Sequence, residues 1–352
     1  MEIDIRTLLK TVLSYKASDL HIVVGSEPQV RIDGRLVPLD LPAFTKKEAE
    51  NICYSLISEQ QKASFEETHE LDFAITIPDF GRFRCNYYMS LGNIAAAFRV
   101  IPTVVPSLDD LKAPPVYKDI IKREKGLILV TGPTGSGKTT TLNAMLNEIN
   151  MTERKHILTI EDPVEFLHEK KKALFSYRNV GEDTESFSRA IKAALREDPD
   201  IILVGEMRDK ETIAAALTAA ETGHLVLGTL HTNSAPSTIN RIVDVFEGNV
   251  QPQIRAQLSS TLIACISQML IPKIGGGRIC VPEILINSPA IGNLIRESKI
   301  HQISSQMMIG QNSSGMITQT QELLRLVNEK QITKENALQY SNKQDEIKGK
   351  LI

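Results

Sequence analysis

Residues 132–139 read Gly-Pro-Thr-Gly-Ser-Gly-Lys-Thr, the G-x-x-x-x-G-K-[ST] spacing that lets a loop wrap a chain of phosphates. Its glycines allow backbone N–H groups to turn inward, and a helix beginning at the end of the loop adds the positive end of its dipole. Gly132, Pro133, Thr134, Gly135, Ser136, Gly137, Lys138, Thr139 and Thr140 are therefore the expected nucleotide contacts. Lys138 would reach the β- and γ-phosphates of ATP, and the Thr139 hydroxyl would ligate Mg²⁺. A glycine-rich turn that binds nothing is the alternative. The apolar run 127–130 before it, and Leu142, Ala144, Met145 and Leu146 after it, supply the strand and helix that the motif requires.

Hydrolysis also needs a group that aims a water. Glu161-Asp162-Pro163-Val164-Glu165 follows the apolar run 157–160, Gly205-Glu206-Met207-Arg208-Asp209 follows 201–204, and His231 follows 225–230. Ligands gather outside the carboxyl ends of parallel strands, which makes these the site candidates. Glu165, offset by a proline turn, is the expected base, with Glu161 and Asp162 fixing the turn or meeting the water shell of the metal. A solvated acidic loop is the plainer reading. Glu206 is expected to hold Mg²⁺ with Thr139, partly through water. Asp200 falls at the other end of the same strand, over ~10 Å away at ~3.3 Å per residue, and reads as a turn residue. His231 emerges on the phosphate side and could sense the γ-phosphate; packing or capping is the alternative, more so for His224.

An arginine opposite the γ-phosphate speeds phosphoryl transfer. Arg196 and Arg208 are available in the second half of the chain. Arg82 and Arg84 share one face of a strand, with Arg99 on the next. Like charges on one face are unfavourable unless an anion joins them, so this face is a candidate second jaw over the nucleotide. A solvated basic face is the competing reading.

The elements that must position these groups fall into two sets. Residues 1–100 read as a small α+β domain. Ile5, Leu8, Leu9, Val12 and Leu13 have helical spacing, short strands are expected at 21–24 and either side of Asp33-Gly34, and a helix over 44–57. Strands follow over 71–77, 82–89 and 94–100, with turns at Pro78–Gly81 and Gly92-Asn93. Pro102, Pro106, Pro114 and Pro115 mark a linker over 101–115. Residues 116–352 then alternate buried strands and helices, the pattern of an α/β domain with a parallel sheet, ending in a helical region from about residue 288.

The 352 residues carry a net charge of -3, from 40 basic and 43 acidic side chains. That balance gives no global reason to expect a nucleic-acid partner. Cys53, Cys85, Cys265 and Cys280 lie far apart, which argues against a zinc module or a disulfide framework. The first residues carry acids where a secretory leader carries bases, and no apolar run is long enough to span a membrane. A cytoplasmic protein is expected.

Ala17-Ser-Asp-Leu-His-Ile22, the 132–139 loop, Ile160-Glu-Asp-Pro-Val-Glu165, the stretch 194–209 and Gly223-His-Leu-Val-Leu-Gly-Thr-Leu-His-Thr232 occur in this order. Together they resemble the secretion-superfamily ATPases, and over nearly the whole chain the branch that retracts type IV pili. In that family these boxes are Walker A, Asp, Walker B and His. The resemblance implies a PAS-like N-terminal domain, a RecA-like ATPase domain and a homohexameric ring, with ATP between the domains and arginines of the N-terminal domain and a neighbouring subunit completing the site. It assigns the catalytic glutamate to Glu165, the Walker B glutamate to Glu206 and the His box to His224 and His231. It also implies a motor at the inner membrane that acts on the pilus platform protein, withdraws pilin and so drives twitching motility. The absence of a tetracysteine module and of a long extra N-terminal domain favours retraction over assembly. Ala290-Ile-Gly-Asn-Leu-Ile-Arg-Glu297 resembles the A-I-R-N-L-I-R-E motif linked to retraction. Arg296 is kept, while Gly292 replaces an arginine and loosens a helix by ~1 kcal/mol. An accessory retraction motor, an assembly or type II secretion ATPase, a nucleic-acid translocase and a nucleotide-sensing adaptor are the competing readings.

Overall fold

The computed structural model describes residues 4–32, 34–78, 80–309 and 314–351. Asp33 of the expected hairpin and Asp79 of the expected 78–81 turn lie outside the described residues. The chain divides into two compact units. The first is Met1–Val104 with Asp162–Leu167, and the second is Val105–Glu161 with His168–Ile352.

The first unit contains α1 (Ile5–Ser14), β1 (Asp19–Ile22), β2 (Gln29–Ile32), β3 (Arg35–Pro38), α2 (Lys46–Tyr54), α3 (Glu59–Thr68), β4 (Glu70–Ile77), β5 (Gly81–Ser90) and β6 (Asn93–Ile101). Asp4 caps α1 by accepting from the Arg6 and Thr7 amides, and Ile5, Leu8, Leu9 and Val12 form its buried stripe. The strands make one antiparallel sheet in the order β3-β2-β1-β6-β5-β4. Alternation along β5 sends Phe83, Cys85 and Tyr87 into the core, where the Phe73 ring meets Tyr87 edge-on at 5.0 Å. Arg82, Arg84 and Asn86 consequently occupy the opposite face. The expected 44–57 helix stops at Tyr54, and a second helix, α3, begins behind its own capping box at Ser58 and Gln61.

The second unit runs α4 (Val116–Ile120), β7 (Gly126–Thr131), α5 (Lys138–Thr152), β8 (His156–Glu161), β9 (Leu174–Asn179), α6 (Phe187–Ala194), β10 (Ile201–Val204), α7 (Lys210–Glu221) and β11 (Leu225–Leu230). It continues with α8 (Ala235–Asp244), α9 (Gln251–Thr261), β12 (Leu262–Pro272), β13 (Arg278–Ile286), α10 (Pro289–Arg296), α11 (Ile303–Ile309), α12 (Gln319–Asn328), α13 (Lys334–Tyr340) and α14 (Gln344–Lys348). Its sheet has the order β13-β12-β7-β11-β10-β8-β9. All neighbours are parallel except the edge strand β13, which is antiparallel to β12. Residues of both parities are buried along the central strands. Leu127, Leu129, Ile202 and Val204 join one core with α6 to α9, whereas Ile128, Val130, Ile201 and Leu203 join another with α4 and α5. A sheet covered on both faces in this way reads as continuous apolar runs. Among the described residues no helix is long and apolar enough to cross a membrane.

Candidate nucleotide site

The loop between β7 and α5 has its glycines where the backbone requires them. Gly132, Gly135 and Gly137 adopt φ of 143°, 77° and 87°, values that side chains rarely tolerate. A Cβ on Gly132 would also lie 2.1 Å from the Gln268 carbonyl oxygen and 2.6 Å from Ser136 Oγ. Helix α5 follows Gly137 without a side-chain cap, so its first amides face the loop interior at the positive end of the helix dipole. Ser136 is buried, and its Oγ has no hydrogen-bond partner among the described residues. Lys138 Nζ donates to the carbonyls of Gly132 at 2.9 Å and Pro133 at 3.1 Å. Burial pulls the Lys138 ammonium below its ordinary pKa, while the Glu206 carboxylate acts in the opposite direction.

Gln268, which sequence reasoning missed, pins this loop from β12. Its Nε2 donates to the Ser136 carbonyl at 2.8 Å, and its Oε1 accepts from Thr141 Oγ1 at 3.0 Å. The available signal was a polar Ser267-Gln268 pair inside the apolar run of β12.

Because β7, β8, β10 and β11 are parallel, their carboxyl ends bring the loop, Glu161, Glu206 and His231 to one edge of the sheet. His231 Nε2 lies 2.8 Å from Glu206 Oε1, and Arg208 Nε also donates to that oxygen. Glu161 is 5% exposed and sits against Gly205, where a Cβ would come 3.1 Å from the Ile160 carbonyl oxygen. Thr139 and Thr140 lie in the first turn of α5. Thr139 and Glu206 are hard oxygen donors of the kind Mg²⁺ takes, and the partnerless Ser136 hydroxyl marks a polar cradle suited to the phosphates beside it.

Asp162 and Glu165 belong to the segment grouped with the first unit. Arg82 donates from Nη2 and Nε to the Val164 carbonyl at 2.8 and 3.3 Å, and from Nη1 to Thr76. Arg84 lies 3.6 Å from Glu165 and 3.8 Å from Asp72. Arg99 pairs with Asp19 at 2.8 Å. Burial raises the Asp19 carboxyl, but bonds from Ser18 and Arg99 outweigh it and hold the group below its ordinary value. The arginines are thus interleaved with carboxylates, and the premise of a bare like-charged face does not hold.

The other candidates are placed elsewhere. His224 stands at the amino end of β11, where its amide and Nδ1 both meet the Ala219 carbonyl at 3.1 Å. Asp200 is a brace at the amino end of β10, accepting from the His156 amide at 2.8 Å. Arg196 is exposed. Arg296 donates to Ser259 Oγ and, with Gly292, lines a cavity of about 1150 Å³ beside Gly126, at the edge away from the loop. A Cβ on Gly292 would lie 3.2 Å from the Ser259 carbonyl oxygen, so any side chain at this position must be accommodated against α9.

The family described as type II/IV secretion system protein matches residues 1–345. The chain is 50% identical over 334 residues to a Pseudomonas aeruginosa protein named type IV pilus retraction ATPase PilT, covering 95% of this chain and 97% of that one. It is 47% identical to a Neisseria gonorrhoeae twitching motility protein, over 95% of this chain and 89% of that one. A crystal structure of the pilus retraction motor PilT with bound ADP superposes with a TM-score of 0.93 at 46% identity, covering 99% of this chain and 100% of that one.

Proposed function

This chain belongs to the type II/IV secretion system protein family, and from that premise we propose that it hydrolyses ATP to power the retraction of type IV pili. The observation that carries the reading is the glycine-lined loop at the sheet edge, where the Ser136 hydroxyl is buried without a partner among the described residues and the Lys138 ammonium donates to the Gly132 carbonyl. Full-length likeness to a retraction motor that binds ADP supports it.

Loop amides and the α5 dipole hold the phosphates. Lys138 exchanges the Gly132 and Pro133 carbonyls for phosphate oxygens, a gain because charge-assisted bonds to an anion are stronger. Thr139 and Glu206 would hold Mg²⁺, which when bound offsets charge on the β- and γ-oxygens. Glu165 aims the attacking water, and His231 steers Glu206. The working form is a homohexamer at the cytoplasmic face of the inner membrane, acting on the pilus platform protein.

Purified protein given Mg²⁺ and ATP should release phosphate, and Lys138→Ala should lower that rate at least about a hundredfold. Deletion of the gene should leave cells overpiliated and unable to twitch, with rescue by wild type but not by Lys138→Ala. Bald cells would assign assembly instead, and unchanged piliation would remove the pilus reading.

A further inference from the structure

His168 is the first residue of the second unit after the acid-bearing segment, and the nucleotide site described above makes no use of it. Its amide donates to the Tyr177 hydroxyl at 2.8 Å, and its ring stacks on Phe175 at 4.4 Å and 10°. Phe175 in turn stacks on Tyr177 at 5.6 Å. Alternation along β9 puts both aromatic rings on one face, so the imidazole is held on a ready-made platform. Its Nε2 lies 2.8 Å from Asn143 Oδ1. Asn143 is buried in α5, and its Nδ2 donates to the Thr139 carbonyl at 2.9 Å.

The tautomer follows from these bonds. A backbone carbonyl only accepts, so the Asn143 NH₂ must face Thr139 and its oxygen must face His168. Nε2 therefore carries the proton and donates. Nδ1 is left as a bare acceptor, buried with no partner among the described residues. Protonation there would bury an unpaired N–H, which agrees with burial pulling the group down to about 4.

We infer that His168 is a positioning residue for nucleotide binding: as a fixed neutral donor it orients Asn143, and Asn143 holds the turn of α5 that carries Thr139. The inference rests on the proposed ATPase reading and deepens it. It links His168, through Asn143, to the first turn of α5.

The test is titration of a fluorescent ATP analogue, together with steady-state turnover, on full-length protein. His168→Phe keeps a ring on the Phe175 platform but removes the donor. Loss of one buried hydrogen bond should weaken binding about tenfold and raise KM more than it lowers kcat. His168→Gln places an amide donor near the Nε2 position and should stay within about threefold of wild type. Asn143→Leu should match His168→Phe, and the double variant should be no worse than either. Wild-type affinity in His168→Phe, with only its melting temperature lowered, would overturn the inference, as would equal losses in the Phe and Gln variants. Wild-type protein that bound no ATP would instead overturn the proposed function.

Discussion

Replacing Gln268 by leucine tests whether the phosphate loop is held from the sheet. Leucine is similar in volume, so the change removes polar partners without opening a large cavity. Two groups are stranded: the Ser136 carbonyl, now bonded at 2.8 Å, and the Thr141 hydroxyl, bonded at 3.0 Å. Gln268 is 3% exposed, and water cannot readily replace it. An unsatisfied buried group costs about 1–3 kcal/mol. The Thr141 hydroxyl can turn back to a carbonyl of its own helix, which leaves the Ser136 carbonyl and an expected loss of about 1–3 kcal/mol. Urea unfolding followed by circular dichroism reads that loss as a shift in midpoint at constant slope. A fluorescent ADP titration should show affinity about tenfold weaker, because the Ser136 peptide is freed to rotate. Thr141→Val removes one of the same bonds, so the double variant should cost less than the two single variants together, by about 1 kcal/mol. Stability within about 0.5 kcal/mol of wild type, with unchanged ADP affinity, would refute the claim that β12 pins the loop.

Gly132→Ala should abolish nucleotide binding while far-ultraviolet dichroism stays native, since its Cβ would lie 2.1 Å from a backbone oxygen at a φ of 143°; retained binding would contradict this geometry. Glu165→Gln should keep ATP affinity within about threefold and lower kcat about 10²–10⁴-fold, and turnover near wild type would take the base role from Glu165. Arg82→Ala should reduce turnover by loosening the acid-bearing segment at Val164, whereas Arg84→Ala should change it less than about threefold; an Arg84 that contacts the γ-phosphate would instead lose about 10³-fold or more. His168 has a folded pKa of about 4 against 6.5 for the ordinary group, so between those values the unfolded chain binds the extra proton and stability falls as pH falls. By pH 5.5 the loss should be on the order of 1 kcal/mol, and His168→Gln should flatten that part of the profile measured by urea midpoints.

The loop and the strand-end carboxylates were legible because each rests on a local rule. A fixed glycine spacing makes the cradle, and a short apolar run ends in a polar residue wherever a buried parallel strand reaches its edge. The strands β9 and β12 escaped for the opposite reason. Phe175 and Tyr177 alternate with polar Ser176 and Arg178, and β12 carries Ser267 and Gln268 in its middle, so neither reads as a clean apolar run. Tertiary pairing decided those cases, as it decided the tautomer of His168, which depends on residues 25 positions away. The arginine face shows a further limit. Strand alternation correctly put Arg82 and Arg84 on one side, but Asp72 reaches that side from the neighbouring strand, and Asp19 and Glu165 from a strand and a segment distant in sequence. Counting charges along one strand cannot see that neutralisation.

Arg82 and Arg84 therefore have different jobs despite standing two residues apart. Arg82 makes two bonds to the Val164 carbonyl and a third to Thr76, so it fixes the backbone of the acid-bearing segment. A guanidinium gripping a carbonyl through two donors defines a position, because both bonds must break for the peptide to move. Arg84 meets the Glu165 side chain at 3.6 Å, with 37% and 32% of the two side chains exposed, and shares itself with Asp72. Such a pair is worth about 0.2–1 kcal/mol in water, less than one charge-assisted bond to a new partner. The segment is thus held by its main chain while its carboxylate stays free to turn. That combination suits the water-aiming role proposed for Glu165, which needs a fixed backbone and a carboxylate that can change partners.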